Sequence, residues 1–282
     1  MPYSIFCDFS YGTDFQCLLS DDMPNWRGPM PNPKLSVCIP AYEMEGHGVD
    51  YLEFSLQKLE EQDFRDFEVV ISDQSTDTRI EELCRNWSER LNMCHVWNRD
   101  APRQASANIN HALNCANGEI LKVLFQDDYL CDPTCLTQVH DGFAETGCDW
   151  LLCGSGVVRD GKTIERAIIP LLTDKLHFGK NTVSSPSVMA IHSRCAERFD
   201  EKLIWLMDVE FYKRLWDAQG APRILSDTLV ANRLHGHQVS NRVDRKLQAI
   251  ELDYVWKQHA ATSTLSGKLE YLKRRLKTIL SK

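Results

Sequence analysis

The stretch LKVLFQDDYL (residues 121–130) begins as a buried strand and stops on two adjacent carboxylates. Leu121, Val123, Leu124 and Phe125 make an apolar run of the length a core strand takes. Asp127 and Asp128 then repel one another and resist leaving water. Such a strand end either meets solvent or presents its carboxylates to a cation. Upstream, LSVCIP (35–40), FEVVISD (67–73) and CHVWN (94–98) predict three further strands. Helical patterns separate them: Leu52, Leu56 and Leu59 within 51–62, the segment 78–91, and QASANINHALNCANG (104–118), closed by Asn117-Gly118. Alternation of this kind with short connections predicts an α/β fold with a mostly parallel central sheet flanked by helices. Ligands of such sheets bind beyond the carboxyl ends of the strands. Those ends carry Ala41, Tyr42 and Glu43, then Asp73, then Asn98 and Arg99, then Asp127 and Asp128. All but the third offer a carboxylate.

Further along, WLLCGSGVVRDGKTIERAIIP (150–170) predicts a hairpin turning at Arg159-Asp160-Gly161, and VSSPSVMAIHS (183–193) an extended segment. DVEFYKRLWDAQG (208–220) predicts a helix ending on glycine, and RILSDTLVANRLHGH (223–237) a strand pair or a strand and loop. The expected organisation is an irregular proline-bearing lead-in over 1–33, the α/β domain over 34–240, and a helical extension over 241–282. In the last part, Leu265, Leu269, Leu272, Leu276, Ile279 and Leu280 recur at helical spacing, and from 268 onward six basic side chains stand against Glu270 alone. A basic amphipathic segment over 265–282 suits peripheral contact with an anionic membrane surface, or docking on the chain's own acidic body.

Composition narrows the function classes. With 282 residues, 43% apolar and 26% charged, and a net charge of −8, the chain has the profile of a soluble globular protein. The acidic balance argues against a nucleic-acid partner. No run reaches the roughly 18–20 apolar residues of a membrane span. MPYSIFCDFS lacks a basic start and an apolar leader, so a cytoplasmic location, peripheral to a membrane or not, is expected. The 11 cysteines contain no C-x-x-C pair, which gives zinc and dithiol redox sites no support.

In order, LSVCIPAYE (35–43), SLQKLEEQDFRDFEVVISDQSTD (55–77), ASANINHALNCANGEILKVLFQDDYL (105–130) and SSPSVMAIHSRCAERFDEKLIWLMDVEFYKRL (184–215) resemble glycosyltransferase family 2. Members are inverting enzymes of the GT-A (Rossmann-like) fold that use nucleotide-diphosphate sugars. The resemblance implies that Pro40, Ala41, Tyr42 and Glu43 line the nucleotide, that Asp73 accepts a hydrogen bond from the base, and that Asn108 belongs to the same donor site. It implies Asp128 and Asp127 as ligands of Mn²⁺ or Mg²⁺, with Asp127 also within reach of the ribose. His235 and His237, in RLHGHQVSNR, would approach the metal or diphosphate from the other side, with Arg233 helping to hold phosphate. Asp208 would be the general base. Two departures stand out: Phe125 and Gln126 precede the paired aspartates where a leading aspartate is usual, and Met207 replaces the usual glutamate.

Plainer roles compete for these residues. Asp73 suits a turn in SDQSTD, and Asp208 and Glu210 suit the positive end of a helix. The leading expectation is transfer from a nucleotide-diphosphate donor, a UDP-sugar on the strength of Asp73 and Tyr42, to a hydroxyl of a glycan or lipid-linked acceptor. The alternatives are a sugar-nucleotide-binding module without turnover and a nucleotidyltransferase. Against the last, IPAYEMEGHG has no lysine or arginine for a phosphate loop.

Overall fold

The computed structural model describes residues 32–159, 163–236, 238 and 243–280. The expected lead-in up to residue 31, the hairpin tip at Asp160-Gly161 and His237 lie outside them. The first half alternates as expected: β1 (Leu35–Ala41), α1 (Gly48–Glu60), β2 (Phe67–Asp73), α2 (Arg79–Trp87), β3 (Met93–Trp97), α3 (Ala105–Cys115) and β4 (Ile120–Val123). Then follow β5 (Tyr129–Leu130), α4 (Cys135–Thr146), β6 (Trp150–Val158), β7 (Ile164–Ile168), β8 (Met189–His192), α5 (Met207–Gln219), β9 (Arg223–Arg233), α6 (Arg245–His259) and α7 (Leu265–Leu280). Helix α4 was not expected, although Leu136, Val139 and Phe143 have helical spacing and are all buried.

The strands form one sheet in the order β3-β2-β1-β4-β8-β6-β9-β5, with β7 beside β6. β1 is parallel to β2 and β4, β2 to β3, and β6 to β9; β8 runs antiparallel to β4 and β6. Every residue of β1 and β2 is buried, so helices must cover both faces there. Register aligns the functional ends: Ala41 pairs with Asp73, and Asp73 with Trp97.

The fourth strand corrects the expectation over 119–128. It stops at Val123, and Leu124–Asp128 continues as a loop. The cause is Gln126, whose side chain occupies the place of a strand neighbour. Its Oε1 accepts from the Tyr42 N–H at 2.7 Å, while Nε2 donates to the carbonyls of Tyr42 at 3.0 Å and Gly48 at 2.9 Å. A carboxylate at position 126 would face two carbonyl oxygens, so an amide is the side chain that fits there. Gly48 makes the approach possible, because a Cβ on it would lie 2.1 Å from the Tyr42 oxygen.

One later expectation is also corrected. Within 183–193 only Met189–His192 is strand, preceded by a 3-10 turn at Pro186–Val188. Over 223–237 the second of the two expected readings holds: one strand, β9, followed by a loop. The C-terminal helices are joined to the body: Leu252 and Val255 of α6 are in the core. Among the described residues no helix is long and apolar enough to cross a membrane.

Candidate active site

Tyr42 and Glu43, at the end of β1, are half-buried. Glu43 forms an ion pair with Arg103, with contacts of 2.6 and 2.8 Å. Pro40 and Ala41 are strand residues enclosed in the sheet. Asp73 is fully buried; its Oδ1 accepts from the Ser75 N–H at 2.8 Å and its Oδ2 lies 3.0 Å from His95 Nε2. The Ser75 bond is the local turn that Asp and Ser favour.

Asn108 turns inward from α3 and ties the strand ends together. Its Nδ2 donates to the Ala41 carbonyl at 3.0 Å, and its Oδ1 accepts from Ser72 Oγ at 2.6 Å and Asn98 Nδ2 at 3.2 Å. The amide is thereby committed to holding β1, β2 and the end of β3 level.

The paired carboxylates have different surroundings. Asp127 is partly exposed, with Oδ2 at 2.9 Å from His235 Nε2, and the His235 ring stacks on Tyr51 at 4.8 Å between centroids. Arg233, two residues earlier at the end of β9, lays its guanidinium over Phe54 at 4.5 Å and Tyr129 at 4.9 Å. Asp128 is buried, and its Oδ2 accepts from Ser185 Oγ and Asn232 Nδ2, both at 2.9 Å. Burial, then the charge of Asp127, hold the Asp128 carboxyl above the usual carboxylate range.

Beneath the pair sits Lys122, fully buried, which donates to the carbonyl of Val123 at 2.9 Å and to that of Ser187. Burial lowers its pKa, while the charge of Asp128 is among those opposing the shift. The Asp128 charge thus favours keeping the proton on this buried amine.

Asp208 stands in the first turn of α5 and is half-buried. Its Oδ1 accepts from the Val209 N–H at 2.7 Å, and its Oδ2 from Asn181 Nδ2 at 2.9 Å. Burial lifts its pKa to about 7, against the backbone N–H bonds that favour the charged form; the Glu251 charge adds to the rise. A carboxylate poised there suits proton abstraction at neutral pH.

A polar chain connects Asp208 to Asp128, and sequence reasoning did not find it. Asn181 Oδ1 accepts from the Val183 and Ser184 N–H groups, at 2.9 and 3.1 Å. Ser184 Oγ donates to Asn232 Oδ1 at 2.8 Å, and Asn232 reaches Asp128. Tyr212 Oη, from α5, donates to the Ser185 carbonyl at 3.0 Å. Ser184 adopts φ 122°, a conformation that costs a non-glycine residue about 1–3 kcal/mol. The Asn181 and Asn232 bonds hold it there. The turn-prone composition of NTVSSP (181–186) is visible in the sequence, but its partners Asp208, Asn232 and Asp128 lie 27 to 57 residues away.

The chain makes the Asn181 contact testable. Its amide stabilises charged Asp208, so Asn181→Ala should raise the base's pKa and move the acid limb of the kcat/KM profile to higher pH. One hydrogen bond to a charged group implies roughly one pH unit. An unmoved limb with a lower plateau would give Asn181 a purely structural role.

As a cation site, the paired aspartates fit one chemistry. Mg²⁺ and Mn²⁺ take oxygen ligands, commonly one or two carboxylates completed by substrate phosphates and water. Asp127 and Asp128 supply that partial set. Among the described residues no group of three or more His, Cys, Asp and Glu side chains forms a fuller cage. His235 serves as the partner of Asp127 here.

Comparison with known proteins identifies the fold and the family. A curated relative, the Campylobacter jejuni GalNAc(5)-diNAcBac-PP-undecaprenol beta-1,3-glucosyltransferase, is 26% identical over 116 residues, covering 40% of this chain. The matched region spans 36% of that relative's length. Among solved structures, S. aureus TarS 1-349 in complex with UDP-GlcNAc superposes with a TM-score of 0.66 at 20% identity, over 87% of this chain and 72% of that one. The mannosyltransferase PcManGT from Pyrobaculum calidifontis, in complex with GDP-Man and Mn2+, gives 0.59 at 18% identity over 92% and 74%. The fold is therefore the expected GT-A arrangement, a mostly parallel sheet flanked by helices. Residues 36–200 match the description Glycosyl transferase family 2, and with more than half its length inside that match the chain belongs to this family of sugar-transferring enzymes.

Proposed function

We propose that this glycosyltransferase moves a sugar from a UDP-sugar to a hydroxyl of a glycan or lipid-linked acceptor, with inversion and with Mn²⁺ or Mg²⁺ bound. The observation that carries the proposal is the hydrogen-bonded chain joining Asp128, at the end of the sheet, to Asp208, whose pKa of about 7 suits a base. Asp208 takes the proton of the acceptor hydroxyl as its oxygen bonds to the anomeric carbon. The bond from that carbon to the diphosphate breaks on the opposite face, and the nucleoside diphosphate leaves with the electron pair.

Asp127 and Asp128 would hold the divalent cation, whose charge stabilises the leaving diphosphate. Tyr42 offers a face for the base, and Asp73, oriented by His95, offers an acceptor for the uracil N–H. The relatives supply matching chemistry: TarS was solved with UDP-GlcNAc and UDP, and the curated glucosyltransferase is named for a lipid-linked substrate.

Calorimetry with UDP-, GDP- and dTDP-sugars, with Mn²⁺ or with a chelator, tests the donor half. Tight binding is expected for one or more UDP-sugars and only with the cation. In Asp128→Asn, which keeps an acceptor for Ser185 and Asn232, the loss of one charged contact should weaken cation-dependent binding roughly tenfold to a hundredfold. Equal binding with and without cation would remove the metal from the proposal.

A further inference from the structure

Helix α7 faces the opposite way from a helix that docks through its apolar stripe. It rests on the body through Gly267, Glu270 and Tyr271: Tyr271 stacks on Trp256 at 4.3 Å, and its hydroxyl donates to Asp253 at 2.9 Å. A Cβ on Gly267 would lie 2.8 Å from the Asp174 carbonyl, so this face is pressed close. Arg274 and Arg275 are drawn into ion pairs with Glu270 and Asp253, each at 2.8 Å. Leu265, Leu269, Leu272, Leu276, Ile279 and Leu280 are left 52% to 75% exposed.

At 100° per residue those six fall in an arc of about 100°, opposite the buried face. Lys268 flanks the arc on one side, and Lys273 and Lys277 on the other. The geometry points to an anionic lipid surface as the occupant, with α7 lying flat, its leucines among the acyl chains and its lysines at the headgroups. Charge complementarity selects this over a second copy of the chain. Two such helices face to face would oppose lysine to lysine, and Glu270, the only acidic residue of α7, is buried against Arg274. The use of this surface, bringing the site to a lipid-linked acceptor, rests on the proposed transfer; the contact itself does not.

Sedimentation of the full chain with vesicles, without donor or acceptor, separates the two. Vesicles of equal parts phosphatidylcholine and phosphatidylglycerol should carry the protein down, and phosphatidylcholine vesicles should not. The double variant Leu269→Glu with Leu276→Glu changes only exposed positions, so it should keep its thermal unfolding midpoint and lose pelleting. Lys273→Gln with Lys277→Gln should weaken binding roughly thirtyfold, the effect of two basic residues near such a surface. The inference is overturned if the wild-type chain stays in the supernatant, or if the leucine double variant pellets like wild type. It is equally overturned if size-exclusion shows a dimer that this variant dissolves while vesicles bind neither form.

Discussion

Asp208→Asn should bind the donor as tightly as the wild-type chain and lose sugar transfer by roughly 10²–10⁴-fold, the range for a missing general base. The substitution keeps the shape of the side chain but removes its capacity to hold a proton. Asp208 accepts two hydrogen bonds, from the Val209 N–H and from the Asn181 amide, and an asparagine accepts both with difficulty. Losing one such bond costs about 1 kcal/mol of fold stability. That is far below the roughly 3–5 kcal/mol that the expected loss of rate represents. In the wild-type chain kcat/KM should rise as pH increases through about 7, because the base must be deprotonated to act. Calorimetry on the donor and initial rates on the same preparation check the two halves.

The second large effect is structural. Glu251, from α6, is buried and accepts three backbone N–H groups just ahead of α5: Ile204 at 2.8 Å, Trp205 at 3.0 Å and Leu206 at 2.8 Å. Donors at a helix start have no partner within the helix, and the helix dipole favours an anion there. Glu251→Ala leaves these N–H groups buried and unsatisfied, for an expected loss of about 3–5 kcal/mol. For a chain of this size that lowers the unfolding midpoint by roughly 6–20 °C. Arg79→Ala, which breaks a half-exposed pair with Asp77, should stay within about 0.5 kcal/mol and serves as the control. A Glu251→Ala midpoint indistinguishable from that control would show that the extension does not brace the base's helix.

These two residues illustrate what was legible in the sequence. The α/β alternation, the parallel pairing of the first four strands and the placing of Tyr42, Asp73, Asp127 and Asp128 at or beyond the strands' carboxyl ends follow from local periodicity and turn chemistry. Asp208 was found by resemblance, and its place in the first turn of α5 agrees with the segment pattern. Glu251 was not legible, because its partners lie 45 to 47 residues away and its own helix shows only a charged residue among others. Lys122 was hidden differently: within LKVLF the apolar neighbours define the strand, and only the fold shows that the ammonium ends on carbonyls below Asp128. Gln126 looked like a departure from pattern, whereas its amide forms three backbone bonds that set where β4 ends. The leucines of α7 were read for their spacing, which gives a helix but not which side of it meets the body.

The central claim, that the paired aspartates beyond β4 and Asp208 cooperate in sugar transfer, is tested most directly by nucleoside diphosphate release. The wild-type chain and Asp208→Asn are given the donor that binds, Mn²⁺, and a panel of glycan and lipid-linked acceptors. Release by the wild-type chain that depends on both cation and acceptor, and nearly vanishes in Asp208→Asn, is the predicted result. Donor binding without release under every acceptor, or release unchanged in Asp208→Asn, would contradict it.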